Sequence, residues 1–156
     1  MMKVSSRSTY AIRALLSLSR LGGTATTPLA RIAETQNIPL PYLEQIFAKL
    51  RKAGVVEAVR GPQGGYRLAR PAAGITLAQI INSLEGPMEP VLCTIPENRT
   101  PDCHEVDGCL SRLLCSEIDG ALNKVLSEKT LASLSGEAEK LGHSAPVTFK
   151  LQPRGA

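Results

Sequence analysis

The stretch over residues 42–68, YLEQIFAKLRKAGVVEAVRGPQGGYRL, constrains the fold of this chain more than any other. Its first half predicts a helix with one buried face, because apolar residues recur at the i, i+3, i+4 and i+7 spacing. They are Leu43, Ile46, Phe47 and Leu50. Gly54 is the expected helix stop, and two short strands then flank a turn, RGPQGG, over residues 60–65. The stretch therefore predicts a helix followed by a β-hairpin.

Signals upstream of this stretch extend the pattern. A first helix is expected over about residues 6–21. A second should begin with Thr27 as its N-cap and Pro28 in the first helical position, and should end at Gln36-Asn37. A short helix, a turn of a few residues and a helix with a polar outer face form the helix-turn-helix pattern. Together with the hairpin they predict a winged helix-turn-helix.

Charge is divided unevenly between the two halves of the chain. Residues 1–72 carry 11 Lys and Arg against 3 Asp and Glu, a balance of +8. Residues 73–156 carry 7 against 11, a balance of −4. Such an asymmetry points to a polyanion as the partner of the basic half. A solvated charged surface is the alternative, but the charges concentrate on the predicted helix and hairpin, which favours double-stranded DNA.

The second half of the chain predicts two helices and a long connection between them. Thr76 caps a short helix over about residues 77–84, and the Pro-bearing, acidic residues 89–108 show no regular pattern. From residue 110 to about residue 126 a broad apolar stripe predicts a long helix that needs a partner. A second copy of the chain is the expected partner, and an intramolecular role is the alternative.

These patterns predict a mainly α-helical fold with a small β-wing. Aromatic residues make up only 3% and Trp is absent, so the core must be aliphatic, which suits packed helices. The predicted units are a winged helix-turn-helix DNA-binding domain over residues 1–86, a cysteine-bearing loop over 87–109, a dimerisation helix region over 110–141 and a flexible tail over 142–156. No apolar run approaches the ~20 residues that cross a bilayer and no signal peptide is recognisable, so a cytoplasmic protein without a membrane partner is expected.

Four cysteines lie on or next to the irregular loop, namely Cys93, Cys103, Cys109 and Cys115. In a reducing compartment they are expected to be thiols or metal ligands rather than disulfides. No Cys-x-x-Cys pair is present, and the spacing fits neither a zinc finger nor a ferredoxin. Three cysteines on a polar loop have little apolar shelter, which favours metal or cluster binding over inert thiols.

Several blocks of the sequence resemble a known family. They are VSSRSTYAIRAL over residues 4–15, YLEQIFAKLRKAGVV over 42–56, VRGPQGGYRLAR over 59–70 and CLSRLL over 109–114. These blocks are similar to the IscR/NsrR-type winged-helix iron–sulfur regulators of the Rrf2 family, over roughly residues 2–135. The resemblance implies a homodimeric DNA-binding transcriptional regulator, not an enzyme, whose operator affinity depends on an iron–sulfur cluster that senses redox state, iron or nitric oxide. A zinc or thiol-redox switch on the same fold is the alternative, and an iron–sulfur transfer factor is less favoured.

The outer face of the predicted recognition helix suits contacts with DNA. Gln45 can pair with adenine and Glu44 can accept from the cytosine amino group, while Arg60 at the base of the wing suits a narrow minor groove. The resemblance implies base reading at Pro41, Glu44 and Gln45, although family members commonly carry Ser where this chain has Pro41. The candidates for phosphate contact are Tyr42, Lys49, Arg51, Lys52 and Arg67.

The resemblance also implies a cluster held by three loop cysteines, with 2Fe-2S as the expected type and 4Fe-4S as the alternative. Cys103 and Cys109 match the family pattern, whereas Cys93 is displaced by a longer first gap. The iron ligands implied for this chain are therefore Cys93, Cys103 and Cys109.

The fourth ligand stays open at this point. Arg112, which cannot ligate, stands where one subgroup of the family has a His. His104, Cys115, an acidic loop residue and a group from elsewhere in the dimer are the candidates. Cys115 lies six residues beyond Cys109, about 600° around a helix, which favours helix packing for its side chain.

Overall fold

The computed structural model describes residues 5–22, 25–86 and 110–140. Within these ranges six α-helices, one antiparallel two-stranded sheet and one short 3-10 helix follow one another. In chain order they are α1 (Ser6–Gly22), α2 (Leu29–Gln36), α3 (Leu40–Lys52), β1 (Val56–Val59), β2 (Gly65–Leu68), the 3-10 helix Ala72–Gly74, α4 (Leu77–Glu85), α5 (Leu110–Glu128) and α6 (Leu131–Lys140). This architecture confirms the expected fold class.

One aliphatic core joins the helices of the first half of the chain. The four apolar residues expected on the inner face of α3 are all buried. They join a cluster whose fully buried large side chains include Leu15, Leu18, Ile32, Phe47 and Ile80. Burial of one such side chain contributes about 1.5–3 kcal/mol, so this cluster fixes α3 against α1, α2 and α4.

A turn of three residues connects α2 to α3, as the helix-turn-helix pattern requires. Asn37 adopts the left-handed backbone conformation, with φ 52° and ψ 50°, and its N–H bonds back to α2. Ile38 is buried in the core, and Pro39 is the N-cap of α3. Asn37 thus caps the end of α2, and the buried side chain of Ile38 holds the middle of the turn against the core.

The wing is a hairpin of β1 and β2 that a third segment extends. Val56 pairs with Leu68 and Val59 with Gly65 in antiparallel register. Thr27, just ahead of α2, then pairs with Tyr66 on the free edge of β2, with both N–H···O distances at 2.9 Å. The wing is therefore anchored to the start of α2.

This pairing corrects the expected start of α2. The sequence predicted Thr27 as N-cap and Pro28 as the first helical residue, but Pro28 is the N-cap, without a side-chain cap bond, and α2 begins at Leu29. The reason is that the N–H and the carbonyl of Thr27 are both hydrogen-bonded to Tyr66, which holds Thr27 in an extended conformation. By contrast, Thr76 caps α4 as predicted, in a capping box with Gln79.

The chain returns to the core of its first half through α6. The sequence predicted a helix from residue 110 to about 126, and α5 extends to Glu128. Leu131, at the start of α6, is fully buried in the core of the first half. Its N–H donates to the carbonyl of Ile75 at 2.8 Å, and the N–H of Leu77 donates to the carbonyl of Lys129 at 2.9 Å. The junction of α5 and α6 is thus fastened to the start of α4.

Candidate nucleic-acid interface

The outer face of α3 presents three of the four residues that were predicted to read bases, and the fourth, Arg60, lies on the wing. Pro41, Glu44 and Gln45 are all exposed. Pro41 lies in the first turn, where its missing N–H removes no helical hydrogen bond. Glu44 offers a carboxylate acceptor and Gln45 an amide that both donates and accepts. The first two turns of α3 therefore expose the hydrogen-bonding groups that distinguish bases in a major groove.

The C-terminal turn of α3 is basic. Lys49, Arg51 and Lys52 are exposed there, where positive charge is favourable because of the helix dipole. The Lys49 ammonium donates to the carbonyl oxygen of Leu84 in α4 at 3.3 Å. Tyr42, the other candidate for phosphate contact on α3, is half-buried. The base-reading candidates thus lie in the first two turns of α3, together with Tyr42, whereas the three basic phosphate candidates lie at its C-terminal end.

Two arginines on the wing were assigned to DNA, and they differ in their surroundings. Arg60 is exposed in the turn between β1 and β2. Arg67 faces Glu57 across the sheet and donates to its Oε2 from Nη2 at 2.9 Å and from Nε at 3.1 Å. This ion pair is half-exposed, and such pairs contribute about 0–1 kcal/mol, so the carboxylate holds Arg67 only weakly.

Sequence reasoning missed the residues that place the wing next to α3. A Cβ on Gly65 would lie 2.4 Å from the carbonyl oxygen of Thr27, so only glycine permits the Thr27–Tyr66 pairing. The hydroxyl of Thr26 donates to the Gln63 carbonyl, and the Tyr66 ring meets Phe47 of α3 edge-on, with centroids 5.0 Å apart. The adjacent glycines at 64 and 65 were the only local signal for this close approach.

The end of α4 is attached to the start of α1 through Glu85. Its carboxylate accepts from the hydroxyls of Ser5 and Ser8. The Ser5 bond is the largest cause that lowers the pKa of Glu85 below its ordinary value, with smaller contributions from Ser8, Arg7 and Lys49, against partial desolvation. The carboxylate is therefore ionised at neutral pH, and it fixes α4 immediately before residues 87–109.

An apolar face of α5 is exposed to solvent. Leu110 is 80% exposed, and four further large apolar side chains are also exposed, namely Leu113, Leu114, Ile118 and Val125. At 100° per residue they occupy one arc of about 140°. Among the described helices, α5 included, none is both long and apolar enough to cross a membrane.

The predicted cluster ligands lie beyond what the structure describes. Cys93, Cys103, Cys109 and His104 are outside the described residues, and Cys115 lies in α5 with only its backbone described. Within residues 5–22, 25–86 and 110–140, no three His, Cys, Asp or Glu side chains come together as they do around a metal ion.

Comparison with known proteins identifies the family. Residues 4–137 match the model of the Rrf2 family, which is described as an iron-dependent transcriptional regulator. This chain belongs to the Rrf2 family. An HTH-type transcriptional regulator of Neisseria meningitidis serogroup A is 41% identical over 148 residues, which are 95% of this chain and 97% of that protein.

Two solved structures resemble this Rrf2-family chain. One is CymR, the global cysteine regulator of B. subtilis, with a TM-score of 0.72 and 35% identity over 88% of this chain and 98% of that one. The other is IscR of T. potens, with a TM-score of 0.72 and 34% identity over 90% of each chain. The family confirms a DNA-binding transcriptional regulator rather than an enzyme, and both likenesses confirm the winged-helix fold.

Proposed function

We propose that this Rrf2-family regulator binds its operator as a homodimer and that an iron–sulfur cluster modulates its affinity. The observation that carries the DNA-reading part is the exposed pair Glu44 and Gln45 on α3, beside a wing that the Thr27–Tyr66 pairing holds in place. The α3 helix enters the major groove, where Pro41, Glu44 and Gln45 face base edges. Arg60 enters the adjacent minor groove.

Phosphate contacts position the DNA-binding part of the chain (residues 1–86, the head) on the duplex without selecting sequence. Arg51 and Lys52 are exposed at the end of α3 and supply two of them. Tyr42, beside Tyr10 of α1, and Lys49, beside Leu84 of α4, supply further contacts. Arg67 exchanges its weak pairing with Glu57 for a phosphate.

Exchange of Glu44 is expected to change which sequences bind rather than how strongly DNA binds in general. Glu44→Ala removes an acceptor for the cytosine amino group. It also removes a carboxylate that repels phosphates and the acceptor groups of non-cognate bases. Operator affinity should fall by about 5–100-fold, while affinity for a scrambled duplex stays the same or rises. Titration of both duplexes by fluorescence anisotropy measures this. Equal losses on the two duplexes would contradict base reading by Glu44.

The exposed apolar face of α5 is the proposed dimer contact. A soluble domain rarely leaves such a continuous apolar face in water, and a second copy of α5 covers it by two-fold symmetry. The two heads then meet half-sites that are about one helical turn, ~34 Å, apart along the duplex.

Cys93, Cys103 and Cys109 are the proposed ligands of the cluster, with His104 or Cys115 as candidates for the fourth position. Thiolates are the donors that iron–sulfur clusters take in proteins, so the chemistry of this donor set fits. When bound, the cluster supplies a redox-active centre whose assembly depends on iron. The expected type is 2Fe-2S. The segment that carries these cysteines follows Gly86, next to the Glu85 contact with α1, and ends at the start of α5. It therefore joins the head to the helix of the proposed dimer contact.

Loss of the cluster is expected to change DNA binding without unfolding the head. Protein purified without oxygen should contain iron and acid-labile sulfide and absorb visible light, and Cys103→Ala should abolish all three. We expect operator affinity to change by about 5–150-fold on cluster loss, the usual range for coupling between two sites. Cys115→Ala is the matched comparison that decides whether this thiol is a ligand. Iron-free protein with unchanged operator affinity contradicts cluster sensing.

A thiol switch is the second candidate, because the solved structure of the global cysteine regulator CymR resembles this chain. In this version the cysteines of residues 87–115 react directly with oxidants and no iron is needed. Iron-free protein titrated with peroxide and then with a dithiol reductant separates the two. Reversible loss of operator binding in the absence of iron supports the thiol switch, and the same assay in the presence of zinc distinguishes a zinc-held form.

A further inference from the structure

Arg13 is a charged side chain in the interior of the head. Arg13 is only 7% exposed and lies on the inner side of α1. Among the residues that the structure describes it is the only charged one that is buried, and no carboxylate pairs with it there. Burial lowers the pKa of its guanidinium, yet arginine stays protonated at any physiological pH. A buried positive charge must therefore be stabilised by dipoles and π-electrons.

The first stabilising group is the C-terminus of α2. Nη2 of Arg13 donates to the backbone carbonyl of Gln36, the last residue of α2, at 2.7 Å, and Nε donates to its side-chain Oε1 at 3.4 Å. The last carbonyls of a helix have no partner within the helix and carry the negative end of its dipole. Arg13 thus acts as a side-chain cap on the very residue that precedes the turn to α3.

The second stabilising group leads to the recognition helix. The guanidinium carbon of Arg13 lies 5.7 Å from the ring centroid of Tyr10, one turn earlier on α1. Tyr10 in turn meets Tyr42, in the first turn of α3, edge-on with centroids 5.9 Å apart. Arg13 therefore contacts the end of α2 directly, at Gln36, and the start of α3 indirectly, through Tyr10 and Tyr42.

We propose that Arg13 is a positioning residue for DNA reading, which sets the angle between α2 and α3 by clamping the end of α2 at Gln36 and the start of α3 through Tyr10 and Tyr42. It touches no DNA. Given the base reading proposed above for Glu44 and Gln45, on which this role rests, its effect reaches the bases because both residues lie within one turn of Tyr42. A rotation of α3 about the turn therefore moves them relative to the base edges. The proposed phosphate contacts of Arg51 and Lys52, made by long flexible side chains, tolerate such a rotation better than directed hydrogen bonds to bases.

The geometry needs arginine specifically. A lysine at position 13 keeps the charge, but its ammonium is a single compact donor. It cannot donate to both the backbone carbonyl and the side-chain amide of Gln36 and also lie over the Tyr10 ring, as the planar guanidinium does. Methionine has a similar apolar length and leaves the Gln36 carbonyl without its donor. Arg13→Lys and Arg13→Met therefore separate loss of geometry from loss of charge.

The test compares two duplexes over a series of salt concentrations. One carries the strongest operator that the unaltered full-length protein selects from a random library, and the other is a scrambled sequence. For both Arg13 variants we expect operator affinity to fall by about tenfold, the size of one mismatched base pair, with scrambled-duplex affinity within twofold of the unaltered protein. The slope of log affinity against log salt should stay unchanged, because no phosphate contact is lost.

Two controls bracket this outcome. Lys140→Met removes an exposed positive charge at the end of α6 and should leave both affinities and the slope unchanged. Arg51→Met removes a proposed phosphate contact, so both duplexes should weaken and the salt slope should shrink by about one.

Thermal unfolding followed by circular dichroism gives the folded fraction of each variant, and each measured affinity is corrected for that fraction. Parallel loss on both duplexes, or unaltered discrimination in folded Arg13 variants, overturns the proposal. If Arg13→Met does not fold, the discrimination between the two duplexes is measured with Arg13→Lys and Gln36→Met instead. Gln36→Met removes the side-chain amide that accepts from Arg13 but keeps the backbone carbonyl. Unaltered discrimination in these two also overturns it.

Discussion

Replacing both Leu114 and Ile118 with Glu should convert this regulator into a monomer and reduce its operator affinity by about 10²–10⁴-fold. Both side chains are exposed on the apolar face of α5, so the head keeps its core and its fold. Four like charges would face each other across a two-fold contact of the kind proposed, and they could not be solvated there. Each head then binds its half-site alone and loses the effective concentration that the other head provides.

Sedimentation and light scattering measure the mass, and anisotropy measures the affinity for full and half operators. Ser116→Glu with Ser127→Glu is the matched control, because it adds the same two charges to exposed positions of α5 outside the apolar arc. The control should remain dimeric and bind normally. A double mutant at 114 and 118 that stays dimeric shows that another surface forms the dimer.

Gly65→Ala is expected to destabilise the head by about 2–4 kcal/mol and to weaken operator binding. The added Cβ would lie 2.4 Å from the carbonyl oxygen of Thr27, and backbone cannot give way as a flexible side chain can. Relief requires the wing to leave the start of α2, which breaks both hydrogen bonds between Thr27 and Tyr66. Arg60, carried on the wing, then loses its fixed position relative to α3.

Urea unfolding followed by circular dichroism measures the free energy of unfolding. Gly136→Ala makes the same chemical change within α6, where the new methyl group meets open space, and should add up to about 1 kcal/mol through helix propensity. The two substitutions are thus expected to have opposite signs. A Gly65→Ala protein as stable as the unaltered one would refute the role given to the wing anchor.

Features that depend on interactions between residues close in sequence were predictable, and features that depend on distant residues were not. The buried face of α3 was predictable because Leu43, Ile46, Phe47 and Leu50 lie within two helical turns, and the cap at Thr76 because its partner is Gln79. The start of α2 was predicted wrongly because Thr27 has its partner in Tyr66, 39 residues further on.

Among the candidate site residues, exposure on α3 followed from periodicity alone, whereas the part played by Arg13 did not. A lone arginine on an apolar helix face gives no sign that its acceptor is the end of another helix, 23 residues later. The return of Leu131 to the core of the first half was missed for the same reason. The roles assigned to Cys93, Cys103 and Cys109 stay predictions.

The backbone pairing at the junction of α5 and α6 gives the head a second attachment to α5. One path is covalent, through residues 87–109, and the other consists of the paired backbones near Ile75 and Leu131 and the buried Leu131 side chain. The two halves are therefore joined by noncovalent contacts as well as by chain continuity. A single nick within residues 87–109 is expected to leave two pieces that remain associated, so a change in the length of this segment need not separate α5 from the head as long as the proposed ligands Cys93, Cys103 and Cys109 are kept.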